Sequence, residues 1–543
     1  MKRPVLTAIL IGTALAAIMT WPLAGRPGSV ARIDTNDGRF SLWNVAWVAH
    51  ALTSDPANLF NANIFYPNTR TLAYSDANLV AGAMAVPVYA VTGNPIAAHN
   101  FVVFAALVLA FLATWQLVRR FTGDPWLALV PATGFAFSAF VSAHTAHIQL
   151  LMIFVLPVAL LALHRLVEAP SWRRGVVLGL ALSVAGLACG QYGIMAGLLV
   201  GLGALWFAAG QADWRRYWAG LALALAVTGA VVVPPLLPYL ELRSTGEFRS
   251  GLNVEEARMF SADASAYMRS TSMLYAPKAA ETGEVLFPGF VLLVFAAAGL
   301  AAVRRRADAG ASTRAITPRL VAFYATITAL AAWASFGPDG WLYTMLAKTV
   351  PFMSFVRTPA RFGVVVLLGL AVLAGFGLRA WLPRRHAVWL AAALLVAISV
   401  EVKAKWGLRE VPAVPEAYLA LARLPPGPVV EFHFPYKPTD LHNHARSMFW
   451  SMWHWRPLVN GYSDFIPEDF RRIATPINSF PDPASFEILK ARHVRYVVLH
   501  LETYTAGEIR QRMLDRFPPY AEYVRPLVQD GNVWLYEIVK YPN

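Results

Sequence analysis

The sequence predicts an α-helical polytopic membrane protein that ends in a smaller α/β domain, and three observations predict it. Of 543 residues, 57% are hydrophobic and only 14% are charged, whereas a soluble globular chain carries about 25% charged residues. Apolar runs recur from Pro4 to Val400, each near the roughly 17–25 residues that a bilayer core requires. The arginines gather between those runs as Arg119-Arg120, Arg173-Arg174, Arg215-Arg216, Arg304-Arg305-Arg306 and Arg384-Arg385. That is the positive-inside pattern, so the net charge of +14 reports topology and argues against a nucleic-acid partner.

The first run, about 4–24, follows Lys2 and Arg3 and has no small-x-small cleavage site after it. It reads as a retained helix with a cytoplasmic N-terminus. The next segment, Leu79–Val91, is short and broken by Pro87. Counting it as a span would place all five later arginine clusters outside. Reading it as interfacial or re-entrant places all five inside. The remaining spans are 95–118, 126–143, 150–167, 175–190, 193–209, 218–238, 286–303, 319–336, 360–380 and 386–402. With the first run this makes about eleven transmembrane helices. The transmembrane domain is then 1–402, with long outer segments at 25–95, 239–285 and 337–358.

The tail, 403–543, is expected outside as an α/β domain. Pro428–Phe434 and Arg495–Leu499 read as buried strands, with a helix at Ser485–Lys490. Asp530-Gly531 marks a hairpin between Tyr523–Val528 and Val533–Ile538. The single cysteine, Cys189, excludes an internal disulfide and a cysteine metal cluster. No Walker A, GxGxxG, HExxH or GxSxG pattern appears in a suitable context.

Candidate chemistry concentrates in the first outer segment. Asp34 and Asp37 precede an aromatic stretch whose helical period puts Trp43 and Trp47 on one face. This suits a helix lying on the membrane surface. A carboxylate at that place either caps the helix or accepts a proton from a hydroxyl. Asp76, before the broken run, is a cap or completes a polar site with Asp37. Arg357 and Arg361 stand four apart at the outer end of a span. Arginine there calls for a local reason, either snorkelling to headgroups or holding a lipid phosphate. Arg243, Arg249, Glu255, Glu256, Arg258 and Asp263 form a polar loop. His144 and His147 read as turn histidines, and Trp450, Trp453 and Trp455 as packing residues. No metal cluster is evident, and a divalent metal is left open.

Taken together, Asp37, Leu42-Trp43-Asn44, Ala46-Trp47-Val48-Ala49-His50, Asp55-Pro56, Ile64-Phe65-Tyr66-Pro67 and Thr71-Leu72-Ala73-Tyr74-Ser75-Asp76 resemble a group of bacterial membrane proteins described as YfhO-like or as glycosyltransferases. The retained helix and the long loop with an early aspartate resemble the GT-C superfamily. The likeness continues at His147 and Gln149, at Glu284–Gly289 and at Pro351–Phe362. It implies an inverting transfer of a sugar from a polyprenyl-phosphate donor to a glycan, lipid or protein acceptor outside the bacterial inner membrane. It implies a first-loop aspartate as base, best matched by Asp37. The group's usual Gly-Asp pair is Asn36-Asp37 here, which leaves Asp34 in competition. Asp76, His50, Tyr66, Arg357 and Arg361 are the substrate-binding candidates. The alternatives are a lipid or polysaccharide transporter or flippase, which calls for charges inside the spans and internal repeats, and a non-catalytic membrane scaffold. The spans carry almost no interior charge and no repeat is evident.

The topology is testable with a reporter fused after the tail, which should be active in the periplasm. Activity only in the cytoplasm would mean that Leu79–Val91 spans.

Overall fold

The structure, a computed structural model, describes residues 2–244, 246, 253–275, 283–309, 316–350, 352–353, 356–383, 386–504 and 507–542. Arg249 and the Arg384-Arg385 pair lie outside the described residues. Two compact units emerge. The first comprises Met1–Arg26, Phe101–Leu236 and Ser250–Gly407, the second Pro27–Asn100, Leu237–Arg249 and Leu408–Asn543.

Each run expected to span is helical. Among the described residues, five helices are long and apolar enough to cross a membrane: Pro95–Thr122, Ile148–Glu168, Gly190–Ala208, Trp214–Ser244 and Pro359–Trp381. Shorter apolar helices include Arg3–Met19, Leu79–Thr92, Leu129–Ala143, Phe290–Ala302 and Ala387–Val402. Helix is the outcome because an apolar run offers its backbone no partner but itself. In the first unit the helix Gly363–Trp381 is buried almost all round. Its approach to Phe290–Ala309 depends on two glycines. A Cβ on Gly377 would lie 1.9 Å from the Phe295 carbonyl oxygen, and one on Gly299 would lie 2.2 Å from that of Leu373. Small residues let membrane helices meet backbone to backbone. Glu401, an acid in the last apolar run, is buried. Its carboxylate accepts from the Phe290 and Val291 amides at 2.5 and 3.2 Å and from the Tyr275 hydroxyl at 2.6 Å. It therefore satisfies a helix N-terminus.

The second unit is built on one core shared by the first outer segment and the tail. Trp43, Phe65 and Tyr74 pack with Tyr418, Val429, Phe449, Phe470 and Val498. Strand β1 (Val30–Ala31) pairs antiparallel with β2 (Arg409–Glu410). The tail sheet holds β3 (Val429–Phe432), β4 (Tyr496–His500), β5 (Val524–Asp530) and β6 (Val533–Ile538) in the order β3-β4-β6-β5. β3 and β4 are parallel, and β6 is antiparallel to both its neighbours. The expected hairpin turns at Gly531, whose φ is +52°. The expected helix runs Pro483–Ala491, started by an Asp482/Ser485 capping box.

One expectation is corrected. The helix of the aromatic stretch, Asn36–Ser54, is not laid on a membrane surface by its tryptophans. Trp43 and Trp47 are 1% and 9% exposed. Their indole N–H groups donate to Asn63 Oδ1 at 3.0 Å and to the Leu59 carbonyl at 2.9 Å. A buried indole needs such a partner, and having one makes both rings core residues. The later tryptophans pack in the same unit: Trp450 stacks on Tyr418 at 5.6 Å and Trp455 on His50 at 4.7 Å.

The neighbouring strands β3 and β4 share a polar knot. His500 Nε2 is 2.8 Å from Glu431 Oε2, and its Nδ1 is 3.1 Å from Glu502 Oε1. Burial lowers the His500 pKa, but the two carboxylates outweigh it and raise the value overall. His444 is wholly buried, and burial holds it at about 3. His454, whose Nε2 is buried without a hydrogen-bond partner among the described residues, is held by burial at about 4. Both stay neutral in the fold but protonate below about 6.5 once unfolded, so their contribution is present above that pH and lost as pH falls toward 3–4. His500 acts oppositely: its contribution is complete below about 6.5 and fades as pH climbs through its raised value. The unfolding free energy of the full chain in detergent should therefore fall between pH 6.5 and 5, by roughly 2 kcal/mol for His444 alone. His444→Gln should be less stable at neutral pH but show a flatter acid slope. An unchanged slope would remove His444 from the effect.

Candidate functional site

Two groups of polar side chains include the candidate site residues, one in each unit.

In the second unit the helix Asn36–Ser54 begins on Thr35, whose hydroxyl accepts from the Gly38 amide at 3.1 Å. Neither aspartate is the cap. Asp34 pairs with Arg32 at 3.0 Å. Asp37 stands exposed in the first turn. Close to it lies Tyr462 from the tail, half-buried and packed edge-on to Phe40 at 6.0 Å. Burial, then Asp37, then Asp464 raise the Tyr462 pKa, so its phenol stays protonated. Asp464 Oδ2 accepts from Ser75 Oγ at 2.6 Å, and Asp76 and Asp464 both lie within electrostatic reach of the Tyr239 hydroxyl. That hydroxyl donates to the Ser75 carbonyl at 3.0 Å and accepts from the Ala77 amide at 3.0 Å. Asp37, Asp76 and Asp464 thus gather around two tyrosines. Protonated phenols can donate, and carboxylates can accept, which suits a polyhydroxylated ligand.

Sequence reading found Asp37 and Asp76 but missed Tyr462, Asp464 and Tyr239. Tyr462-Ser463-Asp464 has no local pattern that marks it. Its place follows from the chain beside it, where the Leu458 amide donates to the Asn63 carbonyl at 2.7 Å and the Phe65 amide to that of Asn460 at 3.2 Å. His50 belongs to a different cluster. It is stacked on Trp455, with Nδ1 3.4 Å from the Tyr89 hydroxyl, and burial lowers its pKa. Tyr66 is held by its backbone, its amide donating to the Leu458 carbonyl at 2.9 Å.

In the first unit the two arginines have different neighbours. Arg357 is exposed and pairs with Glu256 at 3.5 Å. Arg361, in the short turn Pro359–Phe362, is partly buried, and its Nε has no hydrogen-bond partner among the described residues. Its charge reaches His144, Glu284 and Tyr192. His144 Nε2 lies 3.8 Å from Glu284 Oε2. Burial holds His144 at about 3, with Arg361 and His147 adding to the lowering, and burial raises Glu284. Among the described residues no group of three or more His, Cys, Asp or Glu side chains is arranged to hold a metal ion.

Comparison with known proteins adds the family. A family described as a domain of unknown function, DUF6311, matches residues 42–399. The chain belongs to it. No curated protein matches this DUF6311 chain. Solved structures resemble it with low identity. The arabinofuranosyltransferase AftD from mycobacteria matches with a TM-score of 0.58 at 13% identity, over 99% of this chain and 40% of that one. A mutant of AftD matches with a TM-score of 0.60 at 15% identity, over 99% and 41%. The oligosaccharyltransferase of Archaeoglobus fulgidus gives 0.49 at 13% identity, over 97% and 74%. The DUF6311 chain thus shares its fold with AftD and spans about 40% of that chain's length.

Gly38 fixes where Asp37 stands. A Cβ there would lie 1.9 Å from the Arg32 carbonyl oxygen. Alanine normally favours a helix over glycine by up to about 1 kcal/mol. Here the clash should invert the sign, with Gly38→Ala costing roughly 1–3 kcal/mol. Thermal melting of the purified variant checks this, and a melting point at or above that of the parent would contradict it.

Proposed function

We propose that the chain is an inverting membrane glycosyltransferase that moves a sugar from a polyprenyl-phosphate donor to an acceptor outside a bacterial inner membrane. The observation that carries the reading is local. Thr35, not Asp37, caps the helix Asn36–Ser54, and Asp37 in its first turn acts electrostatically on Tyr462, whose phenol stays protonated. The fold shared with an arabinofuranosyltransferase supports the same reading.

In the proposed step the acceptor oxygen attacks the anomeric carbon as Asp37 takes its proton. The bond from that carbon to the phosphate oxygen breaks, and both electrons leave with the phosphate. The products are an inverted glycoside and a polyprenyl phosphate. Arg361, with Arg357, binds the phosphate and stabilises its growing charge. Tyr462, Asp464 and Asp76 bind hydroxyl groups of the ligand. The multi-pass helices hold the lipid donor in the membrane, with the N-terminus cytoplasmic and the tail periplasmic.

Two substitutions separate base from bystander. Asp37→Asn should fold and melt like the parent, because Thr35 keeps the cap, while transfer falls by about 10²–10⁴. Asp34→Asn should lose only its pairing with Arg32 and stay active. A fully active Asp37→Asn protein would remove Asp37 from the mechanism, and an inactive Asp34→Asn protein would move the base three residues upstream. Arg361→Lys keeps the charge but loses the planar fork, and should weaken donor binding about tenfold.

A further inference from the structure

The reading above leaves Glu284 without a task, although it is partly buried within reach of Arg361. A carboxylate beside a phosphate-binding arginine costs affinity, so its presence needs a reason. His144 does not neutralise it. The His144 Nδ1 lies 2.7 Å from the Phe140 carbonyl, which assigns the ring hydrogen to that nitrogen. Nε2 then carries a lone pair, and it is this lone pair that faces Glu284 Oε2 at 3.8 Å. Burial keeps the ring uncharged, at about 3. The other charged side chain at hand is Arg269, which donates to the Glu284 carbonyl at 3.5 Å and pairs with Asp263 at 3.4 Å. When ionised, Glu284 adds a negative charge to the field around Arg361.

The chemistry of the proposed transfer gives that charge a use. The donor is a phosphodiester with one negative charge. Breaking its bond to the sugar leaves a phosphomonoester with about two at pH 8, since its second pKa is about 6. Repulsion scales with the product of the charges, so one fixed carboxylate penalises the product twice as heavily as the donor. We infer that Glu284 is a specificity residue of the Arg361 site: it discriminates against the doubly charged lipid monophosphate relative to the singly charged lipid phosphodiester, and so drives product release. The inference rests on the proposed phosphate site. Release is a common limit on turnover in enzymes of this kind of commitment, and a product that binds better than the donor would stall the cycle.

The test needs no sugar. Full-length protein in nanodiscs is titrated at pH 8 with a polyprenyl phosphate and with the methyl ester of the same phosphate, which mimics the charge of the donor. Glu284→Gln, which preserves shape, should bind the ester about two- to fivefold more tightly. It should bind the monophosphate more tightly by roughly the square of that factor. Glu284→Asp keeps the charge and should leave the ratio of the two affinities near that of the parent. Arg361→Lys should weaken both ligands. Equal gains for both ligands in Glu284→Gln, or none, while Arg361→Lys still weakens both, would overturn the role of Glu284 and leave the phosphate site standing. Unchanged binding of both ligands in Arg361→Lys would overturn the site itself, and the inference with it.

Discussion

Residues 63–66 run alongside residues 458–460, joined by backbone hydrogen bonds from the Leu458 amide to the Asn63 carbonyl, from the Tyr66 amide to the Leu458 carbonyl and from the Phe65 amide to the Asn460 carbonyl. The second unit depends on this pairing. The Asn63 side chain extends it, accepting from the Trp43 indole and donating to Ser451 Oγ and the Arg456 carbonyl at 3.0, 3.1 and 3.2 Å. Buried amide groups must be satisfied, and here each segment satisfies the other. Two residues beyond the pairing comes Tyr462. Its register therefore decides that a tail tyrosine and Asp464 stand with Asp37, which sits on the other segment of the same core. A slip by one residue would turn the whole strand face over.

The first unit is governed by a different constraint. Apolar helices meet only as closely as their side chains allow, and Gly299 and Gly377 remove those side chains where two helices cross. Some polar groups there are answered: Glu401 meets a helix N-terminus, and His144 meets the Phe140 carbonyl. Others are not: Arg361 Nε, like Thr114 Oγ1, Ser138 Oγ, Gln191 Oε1 and Ser399 Oγ, is buried without a hydrogen-bond partner among the described residues.

Much of this was legible in the sequence. The helices follow from run length, and the tail strands from β-branched runs that end at the marked hairpin. The observed β4, Tyr496–His500, lies one residue from its expected span. Other features were not legible for physical reasons. The surface position expected of Trp43 and Trp47 rested on period alone, and a helical stripe looks the same whether lipid or a protein core covers it. The tail sequence could not announce Asp464, because nothing local ties it to a loop encoded before most of the membrane helices. Nor could spacing reveal that Arg357 pairs with Glu256 while Arg361 reaches His144 and Glu284, since the turn Pro359–Phe362 is tighter than an α-helix. The cap on Thr35 was within reach of local reading, as a hydroxyl three residues before the glycine amide that it accepts from.

The proposed transfer assigns Asp37 as the base and Arg361 as the phosphate ligand. The most direct measurement is the stereochemistry of transfer. Purified full-length protein is incubated with polyprenyl-phosphate donors carrying radiolabelled sugars of known anomeric configuration, and the labelled product is analysed. The account expects a product that requires both protein and donor, released together with polyprenyl phosphate and inverted at the anomeric carbon. Transfer with retention of configuration, or no labelled product from any donor in a broad panel of sugars, would contradict it.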